Sequence, residues 1–248
     1  MRKKKELFFL IILTGLIGLF VYGMIESPIF RVKGILIKGC NRVDADEILR
    51  LSGLKKGISL FMIDPDDIKQ KIISNIWVKN VMIKKIFPHL IEINIEEKIP
   101  QAVLLLDKSY LVDEDGEIIK EVELPANGYP IIIGLQERDF KENKALCLKL
   151  VKGAIKLAKI IEEKRVCEIC PIKSIHIDKV FGYGLMAADS SLSIKLGFSQ
   201  MDQKIERLLY VLKDLQRRDQ KATLINLKFP YKAYVTISTK KGGEINEG

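Results

Sequence analysis

Phe30-Arg-Val-Lys-Gly-Ile-Leu-Ile-Lys-Gly39 begins the stretch that decides the fold, and Leu90-Ile-Glu-Ile-Asn-Ile-Glu96 closes it shortly before Pro100. Both segments alternate apolar and polar residues, as half-buried strands do, and so does the segment 77–86. Two short helical patterns separate the first strand from the other two. The order strand-helix-helix-strand-strand predicts a compact unit of about 70 residues with a small core of its own.

Local signals place the two helices of this unit. Asp44 is predicted to cap the first helix, with Glu47 at the reciprocal position of a capping box, and Gly53 to end it. Asp64 and Pro65 supply an N-cap and a first-turn proline for the second helix. The residues predicted to face the core are Ile48, Leu49, Leu51, Ile68, Ile72, Ile73, Val78, Val81, Ile83, Ile86, Ile91, Ile93 and Ile95.

The N-terminal segment is predicted to be a membrane anchor. Residues Leu7 to Ile25 carry no charge, and a helix of that length is about 28 Å long, close to the thickness of a bilayer core. The basic run Arg2 to Lys5 precedes it and favours a cytoplasmic N-terminus. We therefore expect a cytoplasmic tail at 1–6, a transmembrane helix at 7–25 and an extracytoplasmic remainder. The alternative, a cleaved signal peptide, has a shorter apolar core and a small-residue cleavage site.

Composition limits the functional classes. The chain has 248 residues, a formal net charge of +9, 48% hydrophobic and 29% charged residues, which is typical of folded domains. The lysines are spread along the chain, and no basic cluster with interleaved aromatics marks a nucleic-acid interface. Nucleic acid is therefore not among the predicted partners.

Cys167-Glu-Ile-Cys170 is the one cysteine pair at motif spacing. It is compatible with a local disulfide, two free thiols, a redox site or half of a zinc site. His176 is close in sequence, but the alternation of its segment predicts that it faces solvent from a strand. We predict no metal site and no cofactor.

Catalytic motifs are not recognisable. Gly182-Tyr-Gly184 lacks the strand-to-helix context of a phosphate-binding loop and is interpreted as a hairpin. His89 and His176 have no nucleophile motif near them. The acidic residues near Asp64 and Asp113 fit helix capping and a turn, so no catalytic residue is proposed.

A second domain is predicted at 99–240, followed by a disordered tail at 241–248. Its sequence indicates an α/β arrangement on a mostly antiparallel sheet, so that the whole chain is α+β. The segment 124–134 is predicted to be an extended crossing segment. Strands are predicted at 101–106, 110–113, 117–120, 172–177, 184–188, 192–196, 223–229 and 233–238, and helices at 141–164 and 200–218.

The last predicted strand is a candidate sheet edge. A terminal strand offers unpaired N–H and C=O groups to which a partner segment can add a strand. Phe229, Tyr231 and Tyr234 lie at or beside it, and aromatic residues often anchor interfaces. The alternative is that these rings pack within the domain.

Four segments carry a family resemblance: Val32-x-x-Ile-x-Ile-x-Gly39, Gly57-Ile-Ser-Leu-Phe-Met-Ile-Asp64, Ile76-Trp-Val-x-x-Val-x-Ile-x-Lys-x-Phe-Pro88 and the strand from Leu90 to Pro100. Together they resemble the FtsQ/DivIB family of bacterial cell division proteins. The first unit resembles a POTRA domain (β-α-α-β-β), and the remainder resembles the C-terminal domain of that family. Ile76 stands where the family usually has proline.

The resemblance implies a non-enzymatic divisome scaffold in the inner membrane at the septum, which binds FtsB and FtsL and links early and late septal machinery. Its implied partner-binding positions are Phe229, Tyr231, Tyr234, Val235 and Ile237, with Arg217 and Arg218 as cationic contacts. Pro230-Tyr-Lys replaces a more usual glycine-containing turn. A recruitment surface is implied at Asn80, Ile83 and Lys85, although Ile83 equally fits a core position.

Two alternatives remain at this point. A POTRA-bearing chaperone or translocation component for exported polypeptides would carry a barrel or several repeats of the domain. A thiol oxidoreductase would use Cys167 and Cys170.

Overall fold

A computed structural model describes residues 2–125 and 128–238 of the chain, with side chains from residue 9 onward except at 21 and 26. The predicted tail at 241–248 lies outside the described residues. The chain divides into two compact units, and the division falls between Lys98 and Ile99.

The chain begins with helix α1, Arg2–Glu26. Its described side chains between Phe9 and Phe20 are all exposed, and most of them are large and apolar. Within the described part of the chain, no helix is both long enough and apolar enough to cross a membrane. The transmembrane segment at 7–25 therefore stays a prediction.

The rest of the first unit has the predicted strand-helix-helix-strand-strand order. Its elements are a 3₁₀ turn Pro28–Phe30, β1 Gly34–Lys38, α2 Ala45–Ser52, a 3₁₀ turn Leu60–Met62, α3 Pro65–Ile73, β2 Val78–Ile86 and β3 Leu90–Glu97. The sheet order is β1-β3-β2, with β1 parallel and β2 antiparallel to the central β3. Ile91, Ile93 and Ile95 of β3 are buried in the core, as the alternation predicts.

The predictions for two core residues and for the start of the first strand were wrong. Ile73 is exposed because it ends α3 and lies about 100° around the helix from the buried Ile72. A bulge between Val78 and Asn80 sets the alternation of β2, which places Ile86 on the face opposite Val81. The strand begins at Gly34 because Phe30 ends a 3₁₀ turn.

Capping follows the predictions with one exception. Asp44 accepts a hydrogen bond from the Asp46 N–H at 3.1 Å, and Gly53 ends α2 in the left-handed region at φ 65°. Asp64 caps α3 in the same manner. The predicted capping box at Glu47 was wrong, because its carboxylate accepts a hydrogen bond from Asn75 Nδ2 at 3.0 Å instead.

Glu97 holds the loop between β1 and α2 onto the end of β3. Its carboxylate accepts backbone N–H groups of Asn41 at 2.8 Å, Arg42 at 2.9 Å and Val43 at 2.9 Å. Partial burial by itself raises the pKa of Glu97, but the three hydrogen bonds outweigh burial, so the pKa lies below its ordinary value of 4.5.

The second unit is built on one nine-stranded sheet. Its elements are β4 Ala102–Leu105, β5 Ser109–Val112, β6 Ile118–Glu121, β7 Ile131–Ile133, α4 Glu137–Glu163, a 3₁₀ turn Val166–Glu168, β8 Ile172–Asp178, β9 Gly182–Ala187, β10 Ser193–Gly197, α5 Met201–Arg217, β11 Ala222–Asn226 and β12 Tyr234–Ile237. The strand order is β12-β11-β10-β9-β8-β7-β4-β5-β6.

This sheet is mixed. The pairs β4–β7, β7–β8 and β10–β11 are parallel, and the other five pairs are antiparallel. Parallel neighbours need a crossover connection, which α4 supplies between β7 and β8 and α5 supplies between β10 and β11. Both helices contribute to the buried core of the second unit. The segment 124–134, predicted to be an extended crossing segment, contains a short strand, β7, which pairs with β4 on one side and β8 on the other.

Three further boundaries differ from the predictions. Helix α4 starts at Glu137 rather than 141, behind a Gln136–Asp139 capping box, and is kinked at Asn143. Leu146, which follows the kink, is exposed. Gly182-Tyr-Gly184 opens β9, and the hairpin turn lies before it. Strand β11 ends at Asn226 rather than 229, although the Leu227 N–H still donates to Lys195 O of β10.

We predict that Glu97→Gln lowers the free energy of unfolding of the first unit by about 1 kcal/mol at pH 7, because the amide binds the three N–H groups more weakly. The lowered pKa of Glu97 means that this contribution is present above pH 4.5 and is lost as the pH falls through the folded-state value. The difference between the two proteins should therefore shrink in acid. Urea unfolding followed by fluorescence of the chain's single tryptophan, Trp77, measures both effects. Equal midpoints at pH 7 would contradict the role of Glu97.

Candidate functional site

The last strand is an edge, as predicted. Strand β12 ends the nine-stranded sheet in the described part of the chain and pairs antiparallel with β11 alone. Its register sets Tyr234 opposite Asn226 and Val235 opposite Ile225. Within the described residues, β6 is the strand at the other end of the same sheet.

The hydrogen bonds of β12 show which main-chain groups face outward. The Ser238 N–H donates to Lys221 O at 2.7 Å, and Thr236 O accepts from Thr223 Oγ1 at 3.4 Å. Alternate residues of a strand point their main-chain groups to the same side, so Tyr234, Thr236 and Ser238 face β11. Val235 and Ile237 consequently turn their N–H and C=O groups to the open side of the sheet.

Aromatic side chains gather at the beginning of this edge. The rings of Phe229 and Tyr234 meet edge to face, with centroids 5.3 Å apart, and both side chains are about half exposed. Tyr231, between them in sequence, is 94% exposed. The structure therefore brings all three predicted aromatics to one end of β12 and leaves each of them accessible.

The turn before β12 contains a residue in the left-handed backbone region that is not glycine. Tyr231 has φ 65°, a conformation that aromatic residues rarely adopt. Arg207 of α5 fastens this turn, because its guanidinium donates to Phe229 O at 3.0 Å and to Lys232 O at 3.5 Å. Sequence analysis missed Arg207, since its contacts are 22 and 25 residues away along the chain.

A groove of about 420 Å³ runs between α5 and β12. Val235 and Ile237 line it from the strand, and Arg218 lines it from the end of the helix, where its Nε pairs with Asp214 at 3.0 Å. Arg217 is exposed and does not line the groove. Tyr210, another residue that sequence analysis missed, lines it from the polar side of α5 with its ring largely exposed.

Helix α5 is held in place by a buried lysine near its start. Lys204 is 3% exposed, and its Nζ donates to Leu196 O of β10 at 2.7 Å. Burial, with the neighbouring Arg207 charge, lowers the pKa of Lys204 from its ordinary value. This contact sets the position of the helix that carries Arg207, Tyr210 and Arg218.

The predicted recruitment residues lie on β2, an edge strand of the first sheet, but not on one face. Ile83 is partly buried against the core, as its alternative interpretation holds, and Lys85 lies on the same side. Asn80 is exposed on the opposite side, and its Oδ1 accepts the Val81 N–H at 2.9 Å.

The two motif cysteines have different environments. Both thiols are free, with Cys167 exposed and Cys170 buried in the core. Burial raises the pKa of Cys170, and the Asp189 carboxylate adds to that effect. A raised pKa opposes the thiolate that redox chemistry requires. Among the described residues, no group of three or more His, Cys, Asp or Glu side chains is arranged to hold a metal ion.

Comparison with known families covers both units. Residues 30–98 match the POTRA domain of FtsQ type, and residues 102–228 match the C-terminal region of cell division protein FtsQ/DivIB. The chain belongs to the FtsQ/DivIB family. It is therefore a cell division protein with a role in the divisome. The family match ends at residue 228, so the aromatic turn and β12 follow it.

Several relatives in this family align over most of the chain, each named cell division protein FtsQ. The protein of Geobacter sp. (strain M21) is 28% identical over 223 residues, which is 89% of this chain and 81% of the relative. That of Geotalea daltonii is 26% identical over 91% of this chain and 83% of the relative. That of Anaeromyxobacter sp. (strain K) is 28% identical over 82% of this chain and 69% of the relative.

We predict that Arg207→Met loosens the turn at 229–232 without unfolding the second unit. The methionine keeps an apolar stem but loses both hydrogen bonds, a local cost of about 1 kcal/mol. Amide hydrogen exchange in residues 229–237 should then become roughly fivefold faster, which is the population shift for that free energy. Lys213→Met, on an exposed position of the same helix, is the control and should leave exchange there unchanged. Unaltered exchange in the Arg207 variant would exclude the proposed anchoring.

Proposed function

We propose that this chain is a non-enzymatic, single-pass scaffold of the divisome that captures a partner segment at the edge strand β12. The observation that carries the proposal is the outward-facing main chain of Val235 and Ile237, flanked by exposed aromatic rings and a groove. Such an edge adds a strand from another protein, because the partner's main chain completes the hydrogen bonds that the edge leaves open.

The proposed partner is the outer segment of FtsB, in a coiled coil with FtsL, as the family resemblance implies. Strand addition places alternate partner side chains over the groove and over Phe229, Tyr231 and Tyr234. Arg218 borders that groove and suits an acidic partner residue, whereas Arg217 lies outside it. Through these contacts the scaffold links early and late parts of the septal cell-wall machinery.

The proposed location is the inner membrane at the division septum, with a cytoplasmic N-terminus and the bulk of the chain extracytoplasmic. Support comes from the uncharged run Leu7–Ile25, the basic run Arg2–Lys5 before it and the helical backbone of α1. We further propose that the β2 edge recruits other divisome proteins. Of the three residues implied there, Asn80 and Lys85 are the side chains available for contact, because Ile83 packs partly on the core.

The partner proposal predicts that Ile237→Pro weakens binding of FtsB and FtsL outer segments at least tenfold more than Ile237→Ala does. Both substitutions remove the branched side chain of Ile237, but only proline removes the outward N–H and places a ring against the incoming strand. Ile237 is preferred over Tyr234 because the main chain of Tyr234 faces β11, so proline there would damage the sheet itself. Calorimetric titration of the full chain in detergent micelles measures the affinities.

Two results would count against strand addition. Equal affinities of the two folded variants would show that the partner does not use the main chain of β12. Failure of the parent chain to bind FtsB and FtsL segments, while binding unfolded exported polypeptides, would favour the chaperone function instead.

A separate prediction concerns the thiols. Cys167→Ser and Cys170→Ala, singly and combined, should support cell division as the parent does, because Cys167 is an exposed free thiol and Cys170 is a small core residue whose burial raises its pKa. Alanine is used at position 170 because a serine hydroxyl would be buried in the core. Complementation of a strain depleted of this protein, scored by filament length, is the measurement. Filamentation of the Cys167→Ser cells with normal protein levels would favour the thiol oxidoreductase function.

A further inference from the structure

Three phenylalanine rings from distant parts of the first unit meet in one cluster. Phe30 ends the 3₁₀ turn after α1, Phe61 lies in the second 3₁₀ turn, and Phe87 lies in the hairpin between β2 and β3. Phe61 is 5.1 Å from Phe30 and 5.5 Å from Phe87 between ring centroids, and Phe30 and Phe87 are 6.3 Å apart. Separate segments thus converge to form one aromatic surface.

This surface is exposed rather than part of the core. Phe87 is 53% exposed and Phe61 is 39% exposed. Ile29 and Met62, the sequence neighbours of Phe30 and Phe61, are exposed still further. We call the set Ile29, Phe30, Phe61, Met62 and Phe87 the aromatic patch. Contiguous apolar surface of this kind usually marks a place where something else binds, since hydration of the rings is unfavourable.

The patch lies where α1 joins the first unit. Both 3₁₀ turns that supply its rings contact α1. The hairpin that carries Phe87 is held at the same end of the sheet. There the Lys33 N–H donates a hydrogen bond to His89 O of the hairpin at 2.9 Å. The apolar surface of α1 therefore leads into the aromatic patch.

That position identifies the occupant. The described side chains of α1 from residue 9 to residue 20 are exposed all around the helix and show no polar face. A helix of that kind needs an apolar medium on every side, which a bilayer supplies. Apolar side chains such as phenylalanine that face a lipid surface are buried at the boundary between headgroups and acyl chains. Lys33 and Lys56, both exposed near the patch in sequence, suit lipid phosphates.

We infer that the aromatic patch inserts into the outer-leaflet interface and holds the first unit against the lipid surface. The inference rests on the proposed function, because it requires residues 7–25 to span the membrane. It adds a second attachment to the anchor: Phe61, Met62 and Phe87 lie in the headgroup region, so the first unit does not swing freely at the end of α1.

Quenching of tryptophan by brominated lipids tests this inference on the full chain. The protein is reconstituted in vesicles of three parts phosphatidylethanolamine to one part phosphatidylglycerol, with bromines near the headgroup end of the acyl chains. Phe87→Trp is compared with Met82→Trp, a control on strand β2, which leads into the hairpin that carries Phe87. Met82 is 55% exposed and lies about 17 Å before Phe87 along the extended chain. The signal of the parent, from Trp77, is subtracted from both.

We expect the quenched fraction for Phe87→Trp to be at least three times that for Met82→Trp. Equal quenching of the two variants, in vesicles that carry the protein, would overturn the inference while leaving the membrane anchor intact. Failure of the parent to float with the vesicles after alkaline washing would instead overturn the anchor and the inference with it. If the tryptophan of the Phe87→Trp variant is shielded from both bromolipid and aqueous iodide, another copy of the chain covers the patch, which also overturns the lipid contact.

Discussion

Parallel strands cannot be joined by a tight turn, and this constraint determines where the candidate site of the second unit lies. Strands β10 and β11 are parallel, so the chain must leave the sheet between them, and α5 is the crossover. The helix packs beside the end of the sheet and is fixed there by the buried Lys204. Only after that crossover does the chain return as β12, next to α5 and at the edge. The groove between the helix and the last strand is therefore a consequence of the parallel pairing.

The proposed function depends on an edge strand that is open yet well ordered. An open edge strand risks uncontrolled pairing, which proteins limit by keeping such strands short. Strand β12 has four residues, and the turn before it is tied to α5 through Arg207. The left-handed Tyr231 reverses the chain and projects an exposed ring. Order in the turn lowers the entropy cost of ordering the edge when a partner strand binds, and that favours specific pairing. In the first unit, the aromatic patch near α1 is the proposed contact that holds that unit against the lipid surface.

Predictability from sequence differed between kinds of feature. The alternation of Ile91, Ile93 and Ile95 and the cap at Asp64 were enough to place β3 and α3, because both signals are local. The last strand was placed at a sheet edge from its position in the chain. Strand β7 escaped detection, since three isoleucines in an extended segment show no period, and its pairing with β4 and β8 is entirely nonlocal. The capping box at Glu47 failed because Asn75, 28 residues away, competes for the same carboxylate. Arg207 gave no signal, as an arginine on the polar side of a helix looks like any solvated cation.

The sequence by itself determined the order of most elements and the family, because these follow from periodicity, caps and motifs that act over a few residues. Tertiary structure alone decided which main-chain groups of β12 face outward, which arginine fastens the turn and which residues line the groove. It alone also brought Phe30, Phe61 and Phe87 into one patch. Such features depend on strand register, crossover packing and the meeting of distant segments, and each of these is set by burial of the whole core rather than by any local pattern.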